Sequence, residues 1–418
     1  MDDHLKTLLD IIERLKSPYL VEKVQNYFGV YRTAEENGGG DHAGSSNLQP
    51  SERKVPTHRN GTYRRRKGDA GKSSSEDETQ TDSSDNEPSV RCRVDNKFWF
   101  YFFHFGSLLG YEMFYASFFP FWLWNIDSAV CRRVLYVWGI VMYFGGAAKD
   151  IIRWPRPRSP PVVQFDKCYS AEYGMPSTHA ITGASVPFGL LIFTMHRYEY
   201  PVIIGLLICT AWCALLCISR LYLGMHTILD IIGGLVLASG IMAVLIPFAE
   251  TFDEFLLRHP WAPWVIVGTA ALLTYAYPSL DHWTPARGDT CIVLATIAGI
   301  FVGSWLNFKQ GYIHGPGSPP PYQISWPGYT VVGLALLRSC IGILSSVATR
   351  AFFKSVIYAF LRCFLRVDTS EEKVRKKALV ELPTKFITYL AMGLTMSYLS
   401  PVAFRFLNIE RETIFTEV

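Results

Sequence analysis

The stretch YPVIIGLLICTAWCALLCISRLYLGMHTILDIIGGLVLASGIMAVLIPFA (200–249) decides what kind of molecule this chain makes. It holds two apolar runs, 200–218 and 226–249, each near the ~20 residues a helix needs to cross a hydrocarbon core. Where they join stand Arg220, His226 and Asp230. Ionisable groups at membrane depth are costly unless paired or hydrated, so they mark a functional site by default.

Similar runs continue outward on both sides: 98–124, 132–152, 179–196, 262–280, 288–307, 327–347 and one near 384–407. The segment 349–366 is interrupted by Lys354, Arg362 and Arg366, and reads either as a span or as an amphipathic helix in the interface. The expectation is an all-α, polytopic membrane helix bundle of roughly eight to ten spans. The 49% hydrophobic and 14% aromatic content of the 418 residues is concentrated after Phe98, and the formal charge of +4 says little about partners.

Four regions follow. Residues 1–35 form an amphipathic N-terminal segment, with Leu5, Leu8, Leu9, Ile12 and Leu15 at helical spacing. Residues 36–97, rich in Gly, Ser and charge, read as a disordered polar linker that cannot bury enough apolar area to order itself. Its basic run, Arg64 to Lys67, reads as a solvated tail, so nucleic acid is not an expected partner. Residues 98–250 hold the polar motifs, and 251–418 add further spans and the C-terminus. The opening MDDHLKTLLD lacks the basic flank and apolar core of a cleavable signal, so insertion is expected to rely on the first internal span. The nine cysteines show no CxxC pair or Cys/His grouping; Cys209, Cys213 and Cys217 recur every four residues and read as packing on one helix face. His104 and Glu112, inside the first run, read as hydrogen-bonding groups facing the bundle.

Two more polar groups stand at the ends of apolar runs. KDIIRWPRP (149–157) carries Lys149 and Arg156, and YGMPSTHA (173–180) carries Ser177 and His179. Pro155 and Pro157 end the second run, since proline cannot continue a helix. Ser177 is placed to cap the next one, whose free N–H groups suit an anion. His226 opens the fifth run, and His226 and Asp230 are four apart, hence on one helix face and within side-chain reach. In an antiparallel bundle the second run exits where the third enters, and the fourth exits where the fifth enters. Counting alone therefore brings all three motifs to one side.

The converged set suits phosphoryl chemistry. Arg156, Arg220 and Lys149 supply charge-assisted donors for phosphate oxygens and for the extra charge of a pentacoordinate transition state. One histidine, oriented by Asp230, can attack phosphorus, and the other can protonate the leaving alkoxide. Neither a metal nor another cofactor is expected.

The pattern K-x6-RP, PSTH, SR-x5-H-x3-D is similar to the three-motif signature of type 2 phosphatidic-acid phosphatases and vanadium haloperoxidases. The match covers Lys149, Arg156, Pro157, Pro176, Ser177, His179, Ser219, Arg220, His226 and Asp230. The resemblance implies a six-helix-type phosphatase core and a phosphohistidine on His226, with Asp230 supporting it. It implies His179 as proton donor and Lys149, Arg156, Ser177 and Arg220 as phosphate ligands. Within that superfamily the wording KDIIRWPRPRSPPVV, the threonine in PSTH and the spans after the third motif resemble the sphingosine-1-phosphate phosphatases. That family implies a sphingoid-base phosphate as substrate in the endoplasmic reticulum membrane. A phosphatase of glucose 6-phosphate or a polyprenyl diphosphate, and a non-catalytic lipid-phosphate transporter or scaffold, stand as alternatives.

Tyr169, Tyr173, Arg153, Arg158 and Tyr222 are candidates for a substrate entrance; Asp281, Arg287 and Asp289 sit at a later span end on the same side. The opposite side holds Arg132, Arg133, Arg197, Arg258 and Lys309, joined by Lys373 to Lys377 if 349–366 spans. Positive loops prefer the cytosol, so the motifs are expected to face the lumen. The same count puts the N-terminal tail with its sequon Asn60-Gly61-Thr62 on the motif side.

Overall fold

The computed structural model describes residues 2–32, 92–166, 172–278, 283–313, 319–324, 326–364, 366, 371–411, 413, 414, 416 and 417. The sequon, the basic run 64–67, Tyr169 and Asp281 lie outside them. So does most of the expected 36–97 linker, although its last residues are ordered: Cys92–Val94 is a strand and Asn96 caps a helix.

The chain is helical almost throughout. Two amphipathic helices, α1 (Asp2–Lys16) and α2 (Pro18–Tyr27), open it. A short strand, β1 (Val30–Arg32), pairs with β2 (Cys92–Val94). Then come α3 (Lys97–Leu108), α4 (Glu112–Asn125), α5 (Ser128–Ile152), α6 (Thr178–Thr194), α7 (Val202–Tyr222) and α8 (Ile228–Arg258). The later part is α9 (Ala262–Ala276), α10 (Pro285–Lys309), α11 (Tyr329–Phe364), a single turn α12 (Glu372–Arg375), and α13 (Ala378–Leu394). A π-helical segment, Thr395–Leu399, joins α13 to α14 (Ser400–Phe406). Two-residue strands β3 (Tyr198–Glu199) and β4 (Tyr322–Gln323) pair in parallel.

Among the described residues, six helices are long and apolar enough to cross a membrane: α5, α7, α8, α10, α11 and the continuous run 378–406. Two shorter apolar helices, α6 and α9, lie between them. The protein is a multi-pass membrane protein. Burial separates inner from outer helices: the apolar windows of α5 and α10 are 61% buried, those of α7 and α8 22% and that of α11 17%. Leu207 and Val236 on the outer helices are accordingly exposed, as side chains facing lipid would be.

Two features differ from the expectation. The first run, 98–124, is two helices broken at residues 109–111. The break lies at Gly110, where a Cβ would collide with the His179 ring. The segment 349–366, in turn, does not make a separate crossing. Residues 329–364 form one helix of 36 residues, about 54 Å at ~1.5 Å per residue. No glycine or proline follows Gly342 to interrupt it. Ser345 and Thr349 bond to Ser400 and Thr395 at 3.1 Å each, and Arg350 donates to the Tyr389 hydroxyl, also at 3.1 Å.

Contacts at the helix ends establish which ends share a side. At one, Arg132 near the start of α5 pairs with Asp253 near the end of α8 (2.8 Å), and Arg197 pairs with Asp127 (2.6 Å). At the other, Tyr277 after α9 donates to Asp150 near the end of α5 (3.2 Å), and Trp283 donates to Glu381 of α13 (2.8 Å). Lys376 lies over the Trp283 ring at this second end. The Lys373–Lys377 cluster is therefore on the motif side, because α11 crosses once.

Candidate active site

The ends of α5, α6, α7 and α8 that carry the motifs meet on one side. Each local structure explains how a side chain is presented. α5 ends at Ile152 because Arg153 turns into the left-handed region (φ 53°) and Pro155 cannot continue the helix. Lys149 stays on the last turn, only 1% exposed. Ser177 caps α6, its hydroxyl accepting from Ala180 N at 3.4 Å, and its own N–H donates to the Asp230 carbonyl at 3.0 Å. That contact holds the α6 start against α8. Glycine is required at Gly234, where a Cβ would lie 2.7 Å from the Ser177 carbonyl.

Four of the seven motif residues stand in a row that starts at one carboxylate, that of Glu172. The Lys149 ammonium lies 2.9 Å from Glu172 Oε2, and Arg156 Nη2 lies 3.7 Å from the same atom. Arg156 is anchored by its backbone partners, donating to the Glu172 and Met225 carbonyls at 3.0 and 2.9 Å. Its Nη1 faces His226 Nε2 at 3.4 Å. The other imidazole nitrogen, Nδ1, faces Asp230 Oδ2 at 3.7 Å, too far for a hydrogen bond.

That distance corrects the expectation that His226 and Asp230 share a helix face. α8 starts after Thr227, so His226 sits in the preceding loop and Asp230 is the third helical residue. A capping box holds it there: Thr227 N donates to Asp230 Oδ2 (2.7 Å) and Asp230 N to the Thr227 hydroxyl (3.2 Å). The carboxylate is occupied by the helix start on one oxygen. Its Oδ1 is buried with no partner, as is His226 Nδ1.

Arg220 and His179 complete the cluster. Arg220, 1% exposed, donates through Nη1 to Ser107 of α3 at 2.8 Å and leaves Nε without a partner. His179 stacks edge-on to Tyr111 (ring centroids 5.4 Å apart), with its Nε2 buried and unpaired. Tyr111 Oη donates to Asp166 at 2.5 Å. Among the described residues, four of the twelve buried side-chain polar atoms that lack a partner therefore belong to His179, Arg220, His226 and Asp230. Buried polar groups are nearly always satisfied, so such a concentration is what a ligand site looks like.

The charges around His226 act in one direction. Burial, then Arg156, Arg220 and Lys149, hold its pKa well below the usual 6.5, so the imidazole is neutral. Burial pushes Arg156 down to about 10, with Glu172 pulling the other way, and the guanidinium stays charged at neutral pH. For Glu172 burial favours the neutral acid, but Lys149, Arg156 and Arg220 outweigh it and keep it ionised. Among the described residues no group of three or more His, Cys, Asp or Glu side chains could hold a metal ion.

Some residues singled out from sequence lie elsewhere. Tyr222 is fully buried against Phe103 and Phe165, so it is core and not entrance. Arg153 and Arg158 are exposed. Asp289 pairs with Lys385 (3.6 Å), Arg287 donates to the Tyr275 carbonyl (3.3 Å), and His104 bonds its own helix at Phe100 (2.7 Å). Glu112 is exposed at the start of α4. Glu172, Tyr111, Ser107 and Gly110 were not anticipated. The one sequence signal for Glu172 was an acidic side chain five residues before Ser177, inside an otherwise cationic set of motifs.

The PAP2 superfamily matches residues 131–253, which contain all seven motif residues. Over a longer stretch the chain is similar to sphingosine-1-phosphate phosphatase 2 of Mus musculus, 38% identical over 318 residues, covering 76% of this chain and 90% of that one. Sphingosine-1-phosphate phosphatase 1 of Rattus norvegicus is 38% identical over 320 residues, 76% of this chain and 74% of that one. A dihydrosphingosine 1-phosphate phosphatase of Saccharomyces cerevisiae is 25% identical over 332 residues, 74% and 80% of the two chains. The chain belongs to the sphingosine-1-phosphate phosphatase family of the PAP2 superfamily. No solved structure matches it.

Proposed function

We propose that this protein hydrolyses sphingosine 1-phosphate and related sphingoid-base phosphates to the free base and orthophosphate, through a phosphohistidine on His226. The observation that carries this reading is the meeting of Lys149, Arg156 and a neutral His226 whose Nε2 faces the cations. In the first step Nε2 attacks phosphorus and the bond to the ester oxygen breaks. His179 gives its proton to the leaving alkoxide. In the second, His179 takes a proton from water, the oxygen attacks phosphorus, and the P–N bond breaks to release orthophosphate. Lys149, Arg156, Arg220 and the α6 start behind Ser177 carry the phosphate charge, which is largest in the transition state. Asp230, whose Oδ2 lies 3.7 Å from Nδ1, is placed to stabilise the imidazole as it gains charge. The names of the relatives support the sphingoid base as the organic part.

In this reading the enzyme works in the endoplasmic reticulum membrane with its site on the lumenal side. The test of the chemistry is hydrolysis by purified protein in detergent. His226→Ala is expected to lower kcat by about 10³-fold or more, the scale of removing a covalent nucleophile. Wild-type protein denatured in alkali during turnover is expected to retain labelled phosphate on His226, because a P–N bond survives base and hydrolyses in acid. An undiminished rate in the variant would overturn the mechanism, and preference for glucose 6-phosphate would replace the substrate.

A further inference from the structure

The carboxylate of Glu172 is out of place in a phosphate site. Its Oε2 takes the Lys149 ammonium at 2.9 Å and stands 3.7 Å from Arg156, the two cations assigned to the substrate's phosphate. The side chain is 11% exposed and that of Lys149 2%, so the pair is shielded from water. It is not a loose surface contact, because the Glu172 carbonyl is held by Arg156 Nε at 3.0 Å. A carboxylate so placed repels a phosphate dianion and competes for its donors. For a substrate whose only charge is the phosphate, such a residue is a liability.

We propose that Glu172 reads the substrate's amine: when the phosphate takes Lys149 and Arg156, Glu172 pairs with an ammonium borne beside the phosphate ester. The site would then select phosphomonoesters carrying a cationic nitrogen on the carbon next to the one bonded to the ester oxygen. Sphingoid-base phosphates have this arrangement, and this inference rests on the function proposed above. Charge balance carries it. A phosphate that draws Lys149 away leaves Glu172 buried without its counter-ion, a strongly unfavourable state. An ammonium delivered by the same molecule replaces that counter-ion, and the chain spacing between the two groups keeps it within reach. An N-acylated analogue, which has lost the charge, pays the repulsion and gains nothing. Glu172 is thereby a specificity residue that touches the substrate, and takes no part in the bond changes at phosphorus.

The test compares kcat/KM for sphingosine 1-phosphate and for its N-acetyl derivative, in the same detergent micelles, for the wild-type protein and for Glu172→Gln. The wild type is expected to prefer the free amine by about tenfold or more, the factor carried by one hydrogen bond to a charged group. Glu172→Gln is expected to bring the ratio near one whatever happens to the absolute rates. Glu172→Asp, which keeps the charge, is expected to restore part of the preference. A ratio that the Gln variant leaves unchanged would show Glu172 to be only a tether for Lys149 and overturn the proposal. Should the Gln variant fail to fold, a wild-type enzyme with no preference between the two substrates would overturn it as well. Both results leave the phosphatase reading standing. Wild-type protein inert on both substrates would instead remove that reading and this one with it.

Discussion

His179 occupies space that only a glycine leaves open. A Cβ on Gly110 would sit on the imidazole Cδ2 and lie 3.0 Å from Nε2. The ring cannot retreat freely, since Tyr111 stands edge-on to it and the residue is 8% exposed. Gly110 has no positive φ among the described residues, so alanine fits its backbone. Gly110→Ala therefore probes the position of His179 without straining the chain. The expected outcome is a fall in kcat of about 10- to 100-fold, the effect of misplacing a catalytic group by an ångström or so. KM should change much less, because the cations that hold the phosphate are untouched. Wild-type kcat in this variant, measured in detergent beside its melting temperature, would show that the ring does not take part.

At the scale of elements, α10 and α13 cross with their backbones in close approach. A Cβ on Gly299 would strike the Leu390 carbonyl, and one on Gly393 the Thr296 carbonyl, so each glycine faces the other helix's backbone. Small residues allow such approach inside a membrane, where packing replaces the hydrophobic drive. Gly299→Leu and Gly393→Leu are each expected to cost about 1–3 kcal/mol, as overpacking does. Gly240→Leu and Gly268→Leu, with nothing within 4 Å of the added Cβ, should not lower the melting temperature. Equal shifts in all four would deny the crossing its role. The π-helical turn that follows α13 serves the same packing, presenting the Met396 carbonyl to Trp124 Nε1 (2.7 Å) and that of Ser397 to Asn307 (2.8 Å). Crossings of this kind are what the amino-acid pattern conveyed least. Run length and composition announced the apolar helices, and motif parity announced that Lys149, Arg156, Ser177, His179, Arg220, His226 and Asp230 share one end. Hydropathy measures transfer into lipid, so it could not show that 98–124 breaks at Gly110, against the His179 ring. Nor could it show that 329–364 runs on as one helix through Lys354 and Arg362. The i, i+4 spacing of His226 and Asp230 misled because Thr227, a better cap, starts the helix at Ile228, two residues later. Glu172 was hidden because its part depends on two cations distant in sequence.

For the whole molecule the open physical question is which end of the bundle faces the cytosol. The end away from the motifs carries Lys309, over the Trp305 ring, and Arg132, Arg133, Arg197 and Arg258, these four paired with Asp253, Glu250, Asp127 and Glu254. Lys373, Arg375, Lys376 and Lys377 stand at the motif end, since α11 crosses once. Basic residues near span ends set orientation, and here they stand at both. The charge count has thus lost the weight it had while 349–366 was free to span. A second tie comes from the N-terminal segment. Gln25 donates to the carbonyls of Val163 and Tyr222 at 2.6 and 2.9 Å, and Asp95 N donates to Gly29 at 2.8 Å. Residues 25–29 and 92–96 are thereby fixed at the motif end, so both flanks of the polar segment begin on the side of the site. A glycan on the sequon at Asn60 and labelling of the exposed Cys92, which stands at the motif end, give opposite signals. With a lumenal site, the protein in microsomes is expected to carry a glycosidase-sensitive glycan that Asn60→Gln removes. A variant whose sole cysteine is Cys92 should then resist an impermeant maleimide until the vesicles are opened. Labelling of Cys92 in sealed vesicles, with no glycan on Asn60, would turn the bundle over and place phosphate hydrolysis on the cytosolic face.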